Sequence, residues 1–306
     1  MAVLHETYLP FPAEILRRHF APVRAPGDHL AYYRASVANA AAHDDRVATG
    51  HLVTDAEVRR GRQLEKDERF WVAAALLGLY YGDDDGAGRS ERFAELLARA
   101  GVAPPPGAES WAGLLAGELH LYLEVALPSP PSYRRWLADH LDERTPIPYL
   151  RTAAARRAIA LEGATRADAM LVAPATGAAV LFEAKVLSDV STTVTYDVLR
   201  NQLARCIDVL LDPNPGMPAP LGARDPDRSC VVLLTPELYT ATGGRLYNWL
   251  LPAYRDPRDH LLQQHLPHRT PEELRGAAAR LGWATWEDCD RIAPGACPWL
   301  SSAGRA

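Results

Sequence analysis

Residues 165–186, "TRADAMLVAPATGAAVLFEAKV", decide how the chain is read. Two apolar runs flank the turn "APATG", the pattern of a β-hairpin. A tight turn centred on Ala175 and Thr176 makes residues whose numbers sum to about 351 face each other across the strands. Asp168 then lies opposite Glu183, and Arg166 opposite Lys185. Side chains alternate across a sheet, so Asp168, Glu183 and Lys185 share one face with Met170, Val172, Leu181 and Leu187. Ala167, Ala169, Leu171, Phe182, Ala184 and Val186 share the other, a clean core face.

Charges on so apolar a hairpin need a reason. Directly opposed residues have Cβ atoms about 4.5–5.5 Å apart, and like charges there destabilise the pair. Two opposed carboxylates must share a proton or bind a cation. A hard divalent ion such as Mg²⁺ is held by one or two carboxylates plus water and substrate phosphate. Lys185, two residues beyond Glu183, is placed to act on a metal-activated water or on charge developing at phosphorus. An ordinary ion pair on a solvated face is the alternative, but Met170, Val172, Leu181 and Leu187 make that face apolar.

An acid on one strand, a turn, then (D/E)-x-K on the next strand and a helix after it resembles the PD-(D/E)xK nuclease superfamily, with its restriction-endonuclease-like fold. The matching residues are Asp168 in "TRADAMLV", Glu183-Ala184-Lys185 in "VLFEAKV", and a helix expected over 194–211. Ala167 stands where the family often has proline. The resemblance covers about residues 110–290. It implies an α/β fold with a central mixed sheet flanked by helices, and a Mg²⁺-dependent nuclease (Mn²⁺ as substitute) that cuts DNA in restriction, phage defence or repair. Asp168, Glu183 and the backbone carbonyl of Ala184 would hold the metal, with Lys185 and Gln202 as further catalytic residues. Glu118 is the candidate for an additional acid, with Glu162 competing; Arg166 and Arg205 are candidates for nucleic-acid contact. A non-cutting relative that binds nucleic acid or a protein partner is the other reading, and homodimerisation or docking through the N-terminal helices is the partner expectation.

The rest of the chain divides at about residue 108. Residues 1–108 read as an N-terminal helical region, because "AEILRRHF", "DHLAYYRASVANAAAH", "TDAEVRRGRQLEKDERFWVAAALLGLYY" and "SERFAELLARAG" carry apolar residues at helical spacing. Thr54 with Glu57 makes a capping box, and Ser90 is a further N-cap candidate. Residues 109–300 would form the nuclease-like domain. Within it, 111–127 is expected as a helix that places Glu118 on an apolar stripe, and "RAIALEG" (157–163) as a strand. The segment "SCVVLLTPE" reads as a buried strand, and "LGWATWEDC" as a closing strand and helix.

Composition narrows the classes. The 306 residues are 48% hydrophobic and 23% charged, the profile of a globular chain. A net charge of −5 gives no global attraction to nucleic acid, so phosphate binding needs local basic groups or metal ions. Four scattered cysteines form no CxxC pair, which fits reduced thiols and a cytoplasmic setting. The opening residues lack a basic-then-apolar signal pattern, and no apolar run nears the ~20 residues of a membrane span. "GDDDG" lacks the EF-hand ligand spacing, His260, His265 and His268 share no helical face, and "RRGRQLEKDERFW" (59–71) reads as a solvated helix.

Overall fold

The computed structural model describes residues 7–20, 26–82, 87–156, 161–192, 196–214, 216–256 and 258–302. Its centre is a five-stranded mixed sheet whose spatial order follows the chain. Strand β1 (His120–Leu127) pairs antiparallel with β2 (Thr165–Ala173), which pairs antiparallel with β3 (Ala178–Ala184). Strands β4 (Ser229–Thr235) and β5 (Leu281–Thr285) then add in parallel. The β2–β3 register runs from Ala169 opposite Phe182 to Ala173 opposite Ala178, as the turn at "PATG" requires. The ladder ends at the Ala169–Phe182 pair, so neither Asp168 and Glu183 nor Arg166 and Lys185 are ladder partners, although Asp168 and Glu183 are the next residues along.

Helices cover both faces. On one side lie α1 (Ala13–His19), α2 (Pro26–Ala48), α3 (Asp55–Gly61), α4 (Glu68–Tyr81) and α5 (Arg89–Arg99). Helix α4 is apolar nearly all round, the mark of a fully enclosed helix. Its Phe70, Val72, Leu76 and Leu77 join one core with Leu121, Leu123, Ala169, Leu171, Val180, Phe182 and Ala184 of the sheet. On the opposite side, α8 (Gln202–Leu211), α9 (Tyr247–Arg255) and α10 (Pro271–Ala279) cover Met170, Val172, Leu181, Val231 and Leu233. Helices α6 (Pro131–Asp139) and α7 (Pro148–Ala155) lie in the β1–β2 connection, and α11 (Trp286–Ile292) follows β5.

The N-terminal region also guards the sheet edges, which would otherwise offer unpaired backbone groups. Phe20 bridges to Leu123 on β1, and Trp283 N–H of β5 donates to Ala100 O at 3.0 Å. Gly282 permits that second approach, since a Cβ there would meet Val102 Cγ2 at 2.4 Å.

Several expectations are corrected. Only Trp111–Leu114 is helical in the expected 111–127 helix; Gly117, at φ +89°, breaks the chain before β1 begins. From residue 120 Leu121, Leu123, Val125 and Leu127 alternate with period two, and that wins over the helical stripe. Of the expected 194–211 helix, residues 194 and 195 lie outside the described residues and 196–201 are not helical; the helix begins at Gln202, where Asn201 caps it by accepting from Ala204 N–H at 3.0 Å. Thr54 and Glu57 form their capping box, but Gly88 rather than Ser90 caps α5, and Ser90 Oγ donates to Leu115 O. The 59–81 stretch breaks after Gly61 and restarts at Asp67, whose side chain accepts from Arg69 N–H. Residues 157–160 of "RAIALEG" and 83–86 of the aspartate-rich loop lie outside the described residues; Leu161 and Glu162 are buried in irregular chain. All four cysteines are free and buried, and among the described residues no helix is long and apolar enough to cross a membrane.

Candidate active site

The hairpin register carries the acids to one place. Leu123 faces Ala169 and Val125 faces Ala167, so Glu124 and Asp168 sit opposite each other across β1 and β2. Ala169 faces Phe182, so Asp168 is one step from Glu183 across β2 and β3. Three carboxyl residues therefore form a row over three strands. The backbone kinks along that row: Glu124 has φ +54°, a left-handed conformation that costs a non-glycine residue about 1–2 kcal/mol. The alternation slips with it. Leu121 and Leu123 pack towards α4, whereas Val125, Leu127 and Ala167 pack on the α8 side. Ala167 thus lies on the opposite face from Ala169, contrary to simple alternation, level with the Glu124 kink on the neighbouring strand, where the β1–β2 pairing skips Glu124 and Asp168.

Asp168 Oδ2 accepts the Ala184 N–H at 2.7 Å, a side chain standing in for a ladder bond. Glu183 is buried at the end of β3. Its Oε1 accepts from Lys185 Nζ at 2.6 Å and from Gln202 Nε2 of α8, and its Oε2 accepts from Cys206 Sγ at 3.5 Å. Lys185 is buried too, and its ammonium lies 3.8 Å from Glu68 Oε2 on the first turn of α4. Glu68 Oε1 accepts from Val186 N–H at 3.2 Å and from the Ser188 hydroxyl. Beside it, Asp67 holds Arg69 through two N–H···O bonds and accepts from Tyr32, whose ring lies 3.6 Å under the Arg69 guanidinium.

Electrostatics mark the row as unbalanced. Burial, and then the Glu183 charge, push the Asp168 carboxyl well above its ordinary range against the pull of Lys185. Burial raises Glu183 in spite of Lys185. Burial pushes Glu124 up to about 7, with Arg69 and Arg166 opposing and Asp67 and Glu183 adding to it. Burial works to lower Lys185, but Glu183, Glu68 and Asp168 together outweigh it and hold the ammonium above its ordinary value. Lys185 is thus held in its cationic form, while burial and then Glu183 raise the Cys206 thiol.

The residue types fit a hard divalent cation, since the neighbouring carboxylates of Asp168 and Glu183 offer oxygen donors. Among the described residues no three His, Cys, Asp or Glu side chains close on one point. Side chains would therefore supply two ligands, Asp168 and Glu183, leaving the others to the Ala184 carbonyl, water and substrate oxygen.

Of the residues singled out in the sequence, Asp168, Glu183, Ala184, Lys185 and Gln202 come together. Glu118 does not: it is exposed in the loop before β1 and pairs with His120 at 3.2 Å, because the helix meant to carry it is absent. Glu162 is buried in another cluster, on Arg200 at 2.9 Å. Arg205 turns to Glu162 at 3.1 Å and to the carbonyls of Gly163 and Ala164. Arg166 is exposed on β2, close enough for Glu124 to feel its charge. Sequence reasoning missed Glu124 and Glu68. The strict alternation of "HLYLEVAL" was the available signal for Glu124; Glu68 sat in a stretch that read as a solvated helix. His265 and His268 bind separate partners, Tyr254 and Asp208, so the histidines share no site.

Comparisons with protein families, curated proteins and solved structures find no match for this chain, so the site is judged on its own geometry.

Proposed function

We propose that the chain is a Mg²⁺-dependent nuclease of the PD-(D/E)xK kind, cutting phosphodiester bonds in DNA. The observation that supports this reading most is the neighbouring pair Asp168 and Glu183, one step beyond the last paired residues of β2 and β3, with Lys185 bonded to Glu183 at 2.6 Å where β3 ends. Asp168 and Glu183 would hold the metal. When bound, the ion supplies a water acidified enough to attack phosphorus and neutralises phosphate charge, which a chain of net charge −5 needs. Asp168, fixed by the Ala184 N–H, keeps its carboxylate on the hairpin axis. Gln202 orients Glu183 from α8. Lys185, held as a cation, serves to position the attacking water and to stabilise negative charge developing on the phosphoryl oxygens. Glu124, held ready to carry a proton near neutral pH, lies at the end of the row where a proton released from water has somewhere to go.

A second reading draws on the closed Lys185–Glu183 pair: the site is an ion-paired lock, and the chain binds nucleic acid or a protein without cutting it. One assay separates the two. Wild type and Lys185→Ala are incubated with plasmid, single-stranded DNA and RNA in Mg²⁺, Mn²⁺ or EDTA. The nuclease reading expects DNA cleavage in Mg²⁺ or Mn²⁺, none in EDTA, and a loss on the order of 10²–10⁴-fold in the variant. Uncut substrates throughout, or a variant as active as wild type, would contradict it.

A further inference from the structure

We infer that Glu68, from the N-terminal helical region, is a positioning residue that receives the Lys185 ammonium when a divalent ion takes Glu183. This rests on reading Asp168 and Glu183 as the metal ligands. Lys185 and a metal ion are rivals for the same carboxylate, since Lys185 Nζ lies 2.6 Å from Glu183 Oε1. An ion bound there faces the ammonium, and two like charges at contact distance in a buried site repel strongly. The lysine is only 4% exposed, so its ammonium is largely withdrawn from water. Among the described residues, Glu183 and Glu68 are the two carboxylates within 4.0 Å of it.

Glu68 is built to be that second partner. Its Oε1 is tied to Val186 N–H at 3.2 Å and to the Ser188 hydroxyl, which leaves Oε2 directed at Lys185 from 3.8 Å. Val186 follows Lys185 directly, so the carboxylate is registered to the same piece of backbone that carries the lysine. On the other side the Trp286 indole donates to Lys185 O at 3.4 Å, and that backbone is pinned from two elements. Glu68 itself opens α4, whose start is fixed by the Asp67 cap and whose body is buried in the sheet core. A short swing of the ammonium from Glu183 to Glu68 keeps the lysine charged, buried and beside the metal pair. The N-terminal helices would then supply part of the active site.

The test is Mn²⁺ binding by calorimetry to wild type, Glu68→Gln, Lys185→Met and the double variant, each checked for folding by circular dichroism. Glutamine keeps the acceptor for Val186 N–H while removing the charge. The expected result is binding about tenfold weaker or worse in Glu68→Gln, with most of that loss gone when Lys185 is already methionine. At saturating Mn²⁺, Glu68→Gln should lower kcat for DNA cleavage and leave KM unchanged. An equal loss in both lysine backgrounds, no loss at all, or a change confined to KM would overturn the inference while leaving the metal site standing. Wild type that binds no Mn²⁺ would remove the metal reading and this inference together.

Discussion

Two charged clusters, one half-buried and one buried, lie near β2, and they are built on opposite principles. In the first, Glu68, Asp168 and Glu183 lie about the single ammonium of Lys185, and Glu124, next in the row, has His29 Nδ1 at 3.9 Å, with Arg69 already paired to Asp67 and Arg166 facing solvent. In the second, Glu162, Asp197 and Asp208 meet Arg144, Arg200, Arg205 and Arg269. Arg200 lies 2.9 Å from Glu162 and 2.7 Å from Asp208, and stacks on Tyr133, whose hydroxyl donates to Asp197 at 2.8 Å. Burial works to raise Asp208, yet Arg200, His268 and Arg269 overcome it and hold the carboxyl far below its usual range. The carboxyls of Asp168 and Glu183 move the other way. A balanced cluster is a fastening. A cluster short of positive charge favours taking up a proton or a cation, and it carries a cost in stability that function can justify.

The comparison breaks first at Arg200. Arg200→Met strands Glu162 and Asp208 without their shared cation and should cost about 3–5 kcal/mol in urea denaturation, with cleavage chemistry intact in whatever remains folded. Lys185→Met should behave differently: Asp168 and Glu183 can answer by taking protons, so its cost should shrink as pH falls from 8 to 5. An equal, pH-independent cost at both positions would erase the distinction.

Next in size is linkage to metal. Mg²⁺ at a hundred times its Kd should stabilise wild type by about 2.7 kcal/mol, read as a rise in Tm. Asp168→Asn should lose that rise and Tyr133→Phe should keep it.

Glu124 tests the charge deficit itself. Its carboxyl, ordinarily near 4.5, is pushed to about 7 by burial. Between those values the folded chain holds a proton that the unfolded chain has released, so stability falls as pH rises through the window, and the full penalty stands above it. Glu124→Gln should therefore add about 1–3 kcal/mol at pH 8 and little at pH 4. Urea midpoints at the two values check it, and a loss of stability at pH 8 would contradict the sign.

The smallest expected effect lies in the balanced cluster. Tyr133→Phe removes one bond to Asp197, which keeps two from Arg144 and one from Leu199 N–H. The cost should be about 1 kcal/mol with no change in cleavage.

What was legible in the sequence follows the reach of local rules. The β2–β3 register could be counted from the "PATG" turn, because a short turn and a period of two leave one pairing that buries both apolar faces. That sets Asp168 beside Glu183, whereas Gln202 follows only from the family resemblance. Strand β1 was misread because Leu114, Leu121, Tyr122 and Val125 also fit a helical stripe, and eight residues of alternation are a weak rival to it. The Glu124 kink has no residue signature, since nothing in a glutamate side chain favours a positive φ. Glu68 meets Val186 and Ser188 across 118 and 120 residues of chain, a separation that no local pattern bridges. The late start of α8 is equally non-local: Asp197 and Arg200 are held out of the helix by Arg144, Tyr133 and Glu162.

The most direct measurement is a crystal of the wild-type chain grown with Mn²⁺ and read by anomalous scattering. The account predicts a peak bridging the carboxylates of Asp168 and Glu183, with Lys185 turned from Glu183 to Glu68. A lysine still bonded to Glu183, with no anomalous peak between the two acids, would contradict it.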